Sequence, residues 1–120
     1  MRKAEPSNPQ LIGIINFLRK KSRENDVGIW RSIANRLSKT RSRRASVNLS
    51  RINRHTEKGQ IVAVPGKVLG AGKLEHQVTI AAFQFSAKAI EKIKNSKGKC
   101  LTFSELVKKN PKGSRIRIVG

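Results

Sequence analysis

The segment Gly70-Ala71-Gly72-Lys73 has the outline of a phosphate-binding loop, in which backbone N–H groups and a lysine would hold a nucleotide. The full pattern G-x-x-x-x-G-K-[ST] needs a glycine at 67 and a hydroxyl at 74. The chain has Lys67 and Leu74 there, so the hydroxyl that would bind a metal ion is missing. The dinucleotide pattern G-x-G-x-x-G fails at its third glycine, where Glu75 stands. These glycines read better as turns that let the backbone approach a neighbour closely, whether RNA or protein.

The other reactive side chains are few. His55 and His76 are the only histidines and Cys100 the only cysteine. No set of three or four metal ligands at usable spacing results, and no catalytic triad. Glu57, Glu75, Glu91 and Glu105 are scattered, so no pair suggests acid–base work, and a metal-dependent nuclease would lack its carboxylates. Neither a cofactor, a metal nor a small-molecule substrate is implied, and the chain does not read as an enzyme. Cys100 precedes Leu101 and Phe103 and reads as a buried structural thiol. One cysteine permits no internal disulfide, which fits a reducing compartment. Aromatic residues are 4% of the chain. Phe83 and Phe85 fall on one face of an apolar strand, where core packing is favoured over the base stacking used by single-strand readers.

Charge is what remains. Lys and Arg number 27 against 7 Asp and Glu, a formal +20. Such an excess concerns partners and solubility rather than fold, and a polyanion should stabilise the folded form by relieving like-charge repulsion. The segment Ser38–His55 holds Lys39, Arg41, Arg43, Arg44, Arg51 and Arg54, with Arg36 just upstream, and no acid. The second half uses Lys instead, apart from Arg115 and Arg117. Arginine grips phosphate bidentately, whereas lysine acts as a hydrated point charge. Ser42, Ser46, Asn48, Ser50 and Asn53 interleave with the arginines as short donors that can reach phosphate or a ribose 2′-hydroxyl. Phosphate binding by Arg36–Arg54 is the reading of this segment, and His55 and His76 read as polar helpers at the same surface.

The elements that must position this charge follow from periodicity. Ser7 or Asn8 can cap a first helix with Pro9 in its first turn, and Leu11, Ile15 and Leu18 form its apolar stripe. Ile29, Ile33 and Leu37, with Trp30 and Ala34 beside them, mark a second helix. Thr40–Ser46 reads as a loop or extended arm, and residues 38–46 are expected to be disordered without RNA. Val47–Arg54 reads as a short strand running into a helical turn. Glu57–Gln77 reads as short strands punctuated by Gly59, Pro65, Gly66, Gly70 and Gly72. Val78–Phe85 is apolar on both faces, as in a strand buried on both sides. Ser86 then caps an amphipathic helix, Lys99–Phe103 is a short strand, Thr102 or Ser104 caps a short helix, and Arg115–Val119 alternates as a last strand. Strands alternating with helices predict a single α/β domain with parallel pairing: residues 1–58 helical and arginine-rich, residues 59–120 the α/β core. No apolar run approaches the ~18 residues of a membrane span, and the start lacks a signal peptide's apolar stretch, so a cytosolic product is expected.

The run Val64–Ser86, with Pro65, Gly66, Lys67, Gly70, Gly72, His76 and Thr79 in order, resembles large-subunit ribosomal protein eighteen of archaea and eukaryotes, the eighteen-e type. The likeness extends to Ile29–Leu37, Asn48–Asn53 and Asn110–Gly120 and covers nearly the whole chain, at archaeal length. The resemblance implies a structural constituent of the large ribosomal subunit, in the cytoplasm, whose partners are large-subunit ribosomal RNA and neighbouring large-subunit proteins. It implies the irregular strand-strand-helix superhelix shared with bacterial large-subunit protein fifteen, behind a two-helix, arginine-rich N-terminal portion. It carries no catalytic residue. Basic and polar positions within the matched motifs become RNA-binding candidates: Arg31, Lys67, Lys73 and His76 join Arg36, Lys39, Arg41, Arg43, Arg44, Asn48, Ser50, Arg51, Asn53, Arg54 and His55. Two other classes compete. One is a basic DNA-binding or chromatin module, although the loop Ser22–Gly28 is longer than a helix-turn-helix turn. The other is a membrane-active basic amphipath, against which the multi-element apolar pattern speaks.

Overall fold

The computed structural model describes residues 8–39 and 45–120. In chain order the elements are α1 Pro9–Asn25, α2 Gly28–Leu37, β1 Ala45–Asn48, α3 Leu49–His55, β2 Ile61–Leu69, β3 Thr79–Phe85, α4 Ala87–Asn95, β4 Lys99–Leu101, α5 Phe103–Lys109 and β5 Ile116–Ile118. Helix starts follow local chemistry. The Asn8 side chain accepts from Gln10 N at 2.9 Å, and Pro9, which lacks an N–H, occupies the first turn. Ser86 accepts from Ala89 N at 3.1 Å to open α4. Thr102 and Glu105 form a reciprocal capping box at α5, and the bonds from Thr102 hold the Glu105 carboxyl below the usual glutamate range. Ser7, the alternative cap of α1, and residues 40–44 of the arm lie outside the described residues. Expected disorder over 38–46 is corrected at its far end: Ala45 and Ser46 are paired in β1.

Every strand pair is parallel, as the alternation of elements predicts. β2 is the central strand. β3 pairs along one of its edges and β4 lies beyond β3. Its other edge is shared: β5 takes Ile61–Ala63 and β1 takes Gly66–Leu69. The sequence reading broke this stretch into short strands at Pro65 and Gly66, and the structure corrects it to one nine-residue strand. The register with β3 shifts between Val64 and Lys67, so Pro65 sits at an irregularity where the ladder asks for no N–H donor. Gly66 lies directly beside Ala45, and a Cβ there would fall 2.0 Å from the Ala45 carbonyl oxygen. Only glycine admits β1 at this distance.

Both faces of the sheet are covered, as parallel sheets require. On one face Leu11, Ile15 and Leu18 of α1, Trp30, Ile33 and Leu37 of α2, and Phe103 and Leu106 of α5 pack on Ala63, Ala81 and Leu101. The small strand residues let these larger side chains seat close to the backbone. The fully buried Trp30 satisfies its indole N–H by donating to Pro111 O at 2.8 Å. On the other face Leu49 and Ile52 of α3 and Ala89 and Ile93 of α4 cover Val62, Val64, Val68, Ile80 and Ala82. Phe83 packs on the first cluster and Phe85 on the second, which corrects their placement on one face. Phe85 ends β3 where the chain turns into α4, whose residues line the second cluster.

Two glycines test this packing in opposite directions. Gly66→Ala should lower unfolding stability by about 1–3 kcal/mol, because backbone rather than a flexible side chain blocks the added methyl. Gly13→Ala, with nothing within 4 Å in helix α1, should raise it by about 0.4–1 kcal/mol. Chemical denaturation of both variants checks the signs.

Candidate nucleic-acid interface

In the chain, helix α2 precedes the basic segment, and β1 and α3 form its second part. Arg31 on α2 and Lys39 just after it are exposed. Arg36 is half-buried and donates through Nη1 to the main-chain oxygen of Gly120 at 2.8 Å, which ties the end of α2 to the end of β5. Arg41, Arg43 and Arg44 lie outside the described residues. Beyond them, Asn48 ends β1 with its side chain exposed, and α3 carries Arg51, Arg54 and His55 outward while Leu49 and Ile52 are buried. The alternation of charge and core residues in this part of the chain is therefore one short strand and one short helix, each with an inward and an outward side.

The glycine loop after β2 is shaped by its own protein neighbours. It joins two parallel strands without a helix, passing back over the sheet face that α3 and α4 cover. Gly72 adopts φ 85°, and a Cβ there would meet Ser50 Cβ at 2.3 Å. Ser50 N donates to Ala71 O at 3.2 Å. Asn53 donates to Glu75 Oε1 at 3.0 Å and accepts from Glu75 N at 2.9 Å, so its amide is committed to the loop. From α4, Lys92 Nζ donates to Gly70 O at 2.7 Å and Gly72 O at 2.8 Å, and the Ser96 hydroxyl donates to Leu74 O at 2.8 Å. Lys92 and Ser96 were not singled out from the sequence; amphipathic spacing shows that α4 has a polar face but not what meets it. Lys67 and Lys73 remain exposed.

His76 also has an internal task. The buried Thr56 hydroxyl donates its single hydrogen to Ile52 O at 2.6 Å. Its 2.8 Å contact with His76 Nε2 must then have the ring nitrogen donating. The end of α3 is closed by this chain of bonds. His55, by contrast, is exposed and lines an open cleft of about 320 Å³ with Arg54, Gln60 and Arg117. Arg117 is a further basic residue that the candidate set omitted. The alternation of Arg115–Val119 signals its outward direction, but only strand pairing brings it beside α3.

The electrostatics are one-sided. Among the described residues, Lys21 and Glu24, 3.3 Å apart, form the one ion pair. Glu75 and Glu105 instead bond to neutral groups. Cys100 is half-buried rather than buried; burial pushes its thiol pKa up against the pull of Lys94, which suits an inert thiol. Among the described residues no group of three His, Cys, Asp or Glu is placed to hold a metal, and no helix is long and apolar enough to cross a membrane.

A model of the family described as ribosomal protein 60S L18 and 50S L18e matches residues 2–119. The chain belongs to this family. Its relatives include the large ribosomal subunit protein eL18 of Methanoregula boonei, 50% identical over 98% of both chains. The protein of the same name from Methanospirillum hungatei is 49% identical over 98% of both. That of Methanothermobacter thermautotrophicus is 44% identical over 99% of this chain and 98% of its own. The family is one of structural proteins of the large ribosomal subunit in the cytoplasm, not of enzymes.

Thr56→Val keeps the shape of the side chain but removes the hydroxyl that serves both Ile52 O and His76. It should cost about 1–3 kcal/mol of unfolding free energy, because both partners lose a bond at a buried site. Equilibrium denaturation in urea measures it.

Proposed function

We propose that this chain is a structural constituent of the large ribosomal subunit that binds large-subunit ribosomal RNA through Arg and Lys contacts to phosphate and stabilises its fold. The observation that carries the reading is the surplus of exposed cations with so little internal pairing. A net +20 held in this way calls for a polyanion. Family membership supplies the setting: the relatives are named as proteins of the large ribosomal subunit, so ribosomal RNA and neighbouring large-subunit proteins are the partners proposed here.

In this proposal Arg31, Lys39, Arg51, Arg54, His55, Lys67 and Lys73 contact RNA together with Arg41, Arg43 and Arg44, and Asn48 supplies a short donor. Arg36, Ser50 and Asn53 act one step back, holding the main chain from which those cations project, and His76 does so through the Thr56 hydroxyl. The chain works as a single domain, in which residues 1–58 carry most of the proposed contacts and share the core with residues 59–120. Its parallel sheet with helices on both faces is consistent with the fold shared by the fifteen and eighteen-e types of ribosomal protein.

Replacing Arg41, Arg43 and Arg44 together by Ala tests the reading. Affinity for large-subunit ribosomal RNA should fall, and the log–log salt slope should flatten by about 3, near 1 per cation removed. Filter binding across a salt series measures both, with duplex DNA at the same salt as comparison. An unchanged slope, or DNA bound as tightly as RNA, would reject it.

A further inference from the structure

A parallel sheet brings the starts of its strands to one end. The register sets Ile61 beside Thr79 and Ile116, and Thr79 beside Lys99. The segments leading into β2, β4 and β5 therefore share an edge, and they carry Lys58, Lys97 and Arg115, all exposed. Arg117 joins them. Its neighbours Ile116 and Ile118 pack into the cluster under α1 and α2, so Arg117, paired with Val62, points to the opposite face where α3 ends. There it lines the cleft with Arg54 and His55. An adjacent cleft of about 440 Å³ is lined by Lys58, Lys97 and His76. Glu57 and Glu75 each line one of these clefts, and Glu75 is bonded to Asn53, so cations outnumber acids along the edge.

Backbone conformation at the same edge points the same way. Among the described residues three non-glycine residues have positive φ: Asp26 at 53°, Lys97 at 62° and Arg115 at 59°. Aspartate suits that region through its short polar side chain, but lysine and arginine do not. Lys97 closes α4, with its N–H donating to Lys94 O and the next N–H, of Gly98, to Ile93 O, both at 2.9 Å. Glycine is the usual residue at such a helix end. Arg115 follows a turn in which the Asn110 side chain bonds both the N–H and the carbonyl of Ser114. At each place a cation stands where glycine fits the backbone better.

We infer that this edge is a second docking surface for the sugar–phosphate backbone of RNA, where Lys58, Lys97, Arg115 and Arg117 hold phosphates beside Arg54 and His55 of the basic segment. The inference rests on the RNA-binding reading above and extends it to residues outside the basic segment. Arg115 stands level with Gln60, and Ala45, where the basic segment enters β1, stands level with Gly66. Six strand residues separate the two levels, roughly 20 Å. Arg115 on the edge and the arginines that precede Ala45 therefore engage different stretches of RNA backbone.

The test is filter binding of the full chain to in vitro transcribed archaeal large-subunit ribosomal RNA across a salt series, with thermal melting alongside. Lys97→Gly with Arg115→Gly should bind about tenfold more weakly at fixed salt, flatten the log–log slope by about 2, and melt no lower than the parent, since glycine suits both φ values. Lys58→Gln with Arg117→Gln removes two charges without touching the backbone and should show the same loss of slope. Lys20→Gln with Lys109→Gln makes the same charge change on α1 and α5 and should keep the parent slope. Edge variants that bind like the parent, or a control pair that loses as much as they do, would overturn the edge while leaving RNA binding intact. A parent chain whose RNA affinity ignores salt would overturn the broader reading as well.

Discussion

Strand β2 is the constraint on which the rest of the molecule depends. It is paired on both edges, and one edge is divided between two short strands that meet end to end. That division requires Gly66, because β1 approaches so closely that a Cβ would collide with the Ala45 carbonyl. It also brings the end of β5 to the start of β1, where a Cβ on Gly120 would lie 2.7 Å from Ala45 Cβ. Arg36 then ties α2 to Gly120. Arg36 and Ala45, before and after Arg41, Arg43 and Arg44, are thus fixed to one place on the sheet, by α2 on one side and by β1 on the other.

The same arrangement accounts for a low hydrophobic content. At 37%, the chain has few apolar residues to cover a sheet on two faces. It succeeds because the helical layers are thin and each apolar stripe is used fully. Leu49 and Ile52 of α3 and Ala89 and Ile93 of α4 are all buried within short helices. Between these two helices the glycine loop lays backbone and Leu74 on the sheet in place of a third helix. Burying an unpaired charge is far costlier than leaving it in water, so the lysines and arginines have nowhere to go but outward. Fold and charge are solved together: whichever faces remain after the two clusters close are cationic.

Local signals were legible in the sequence, and non-local ones were not. Asn8, Ser86 and Thr102 announced helix starts through short-range chemistry that survives in the structure. Alternating elements indicated parallel pairing. Pro65 and Gly66 misled, because the rule that they interrupt strands holds only when nothing nearby needs their peculiarities. Here a register shift uses one and a close backbone approach uses the other. Among the candidate site residues, type and density marked out Lys39, Arg51 and Arg54, which are exposed, and the resemblance added Arg31, which is exposed too. Type alone did not distinguish Asn53, which accepts from Glu75 N, and His76, which bonds the Thr56 hydroxyl, from residues that face outward. Arg117 was missed because its place beside Arg54 depends on the pairing of β5 with the distant strand β2, where Arg117 stands opposite Val62.

That division of labour among polar side chains bears on how such a charged chain stays folded. Repulsion among exposed cations disfavours the compact state, and the one surface ion pair among the described residues does little to offset it. The internal bonds of Asn53, Thr56, His76, Lys92 and Ser96 fasten the glycine loop and the end of α3 where the second face of the sheet would otherwise be thinly covered. They hold the backbone against repulsion before any polyanion arrives. A polyanion bound as proposed would stabilise the folded form by mass action, because it would engage cations that only the fold brings together. The polar interior sets the shape, and under that proposal the cationic exterior makes the shape more stable in its complex than alone.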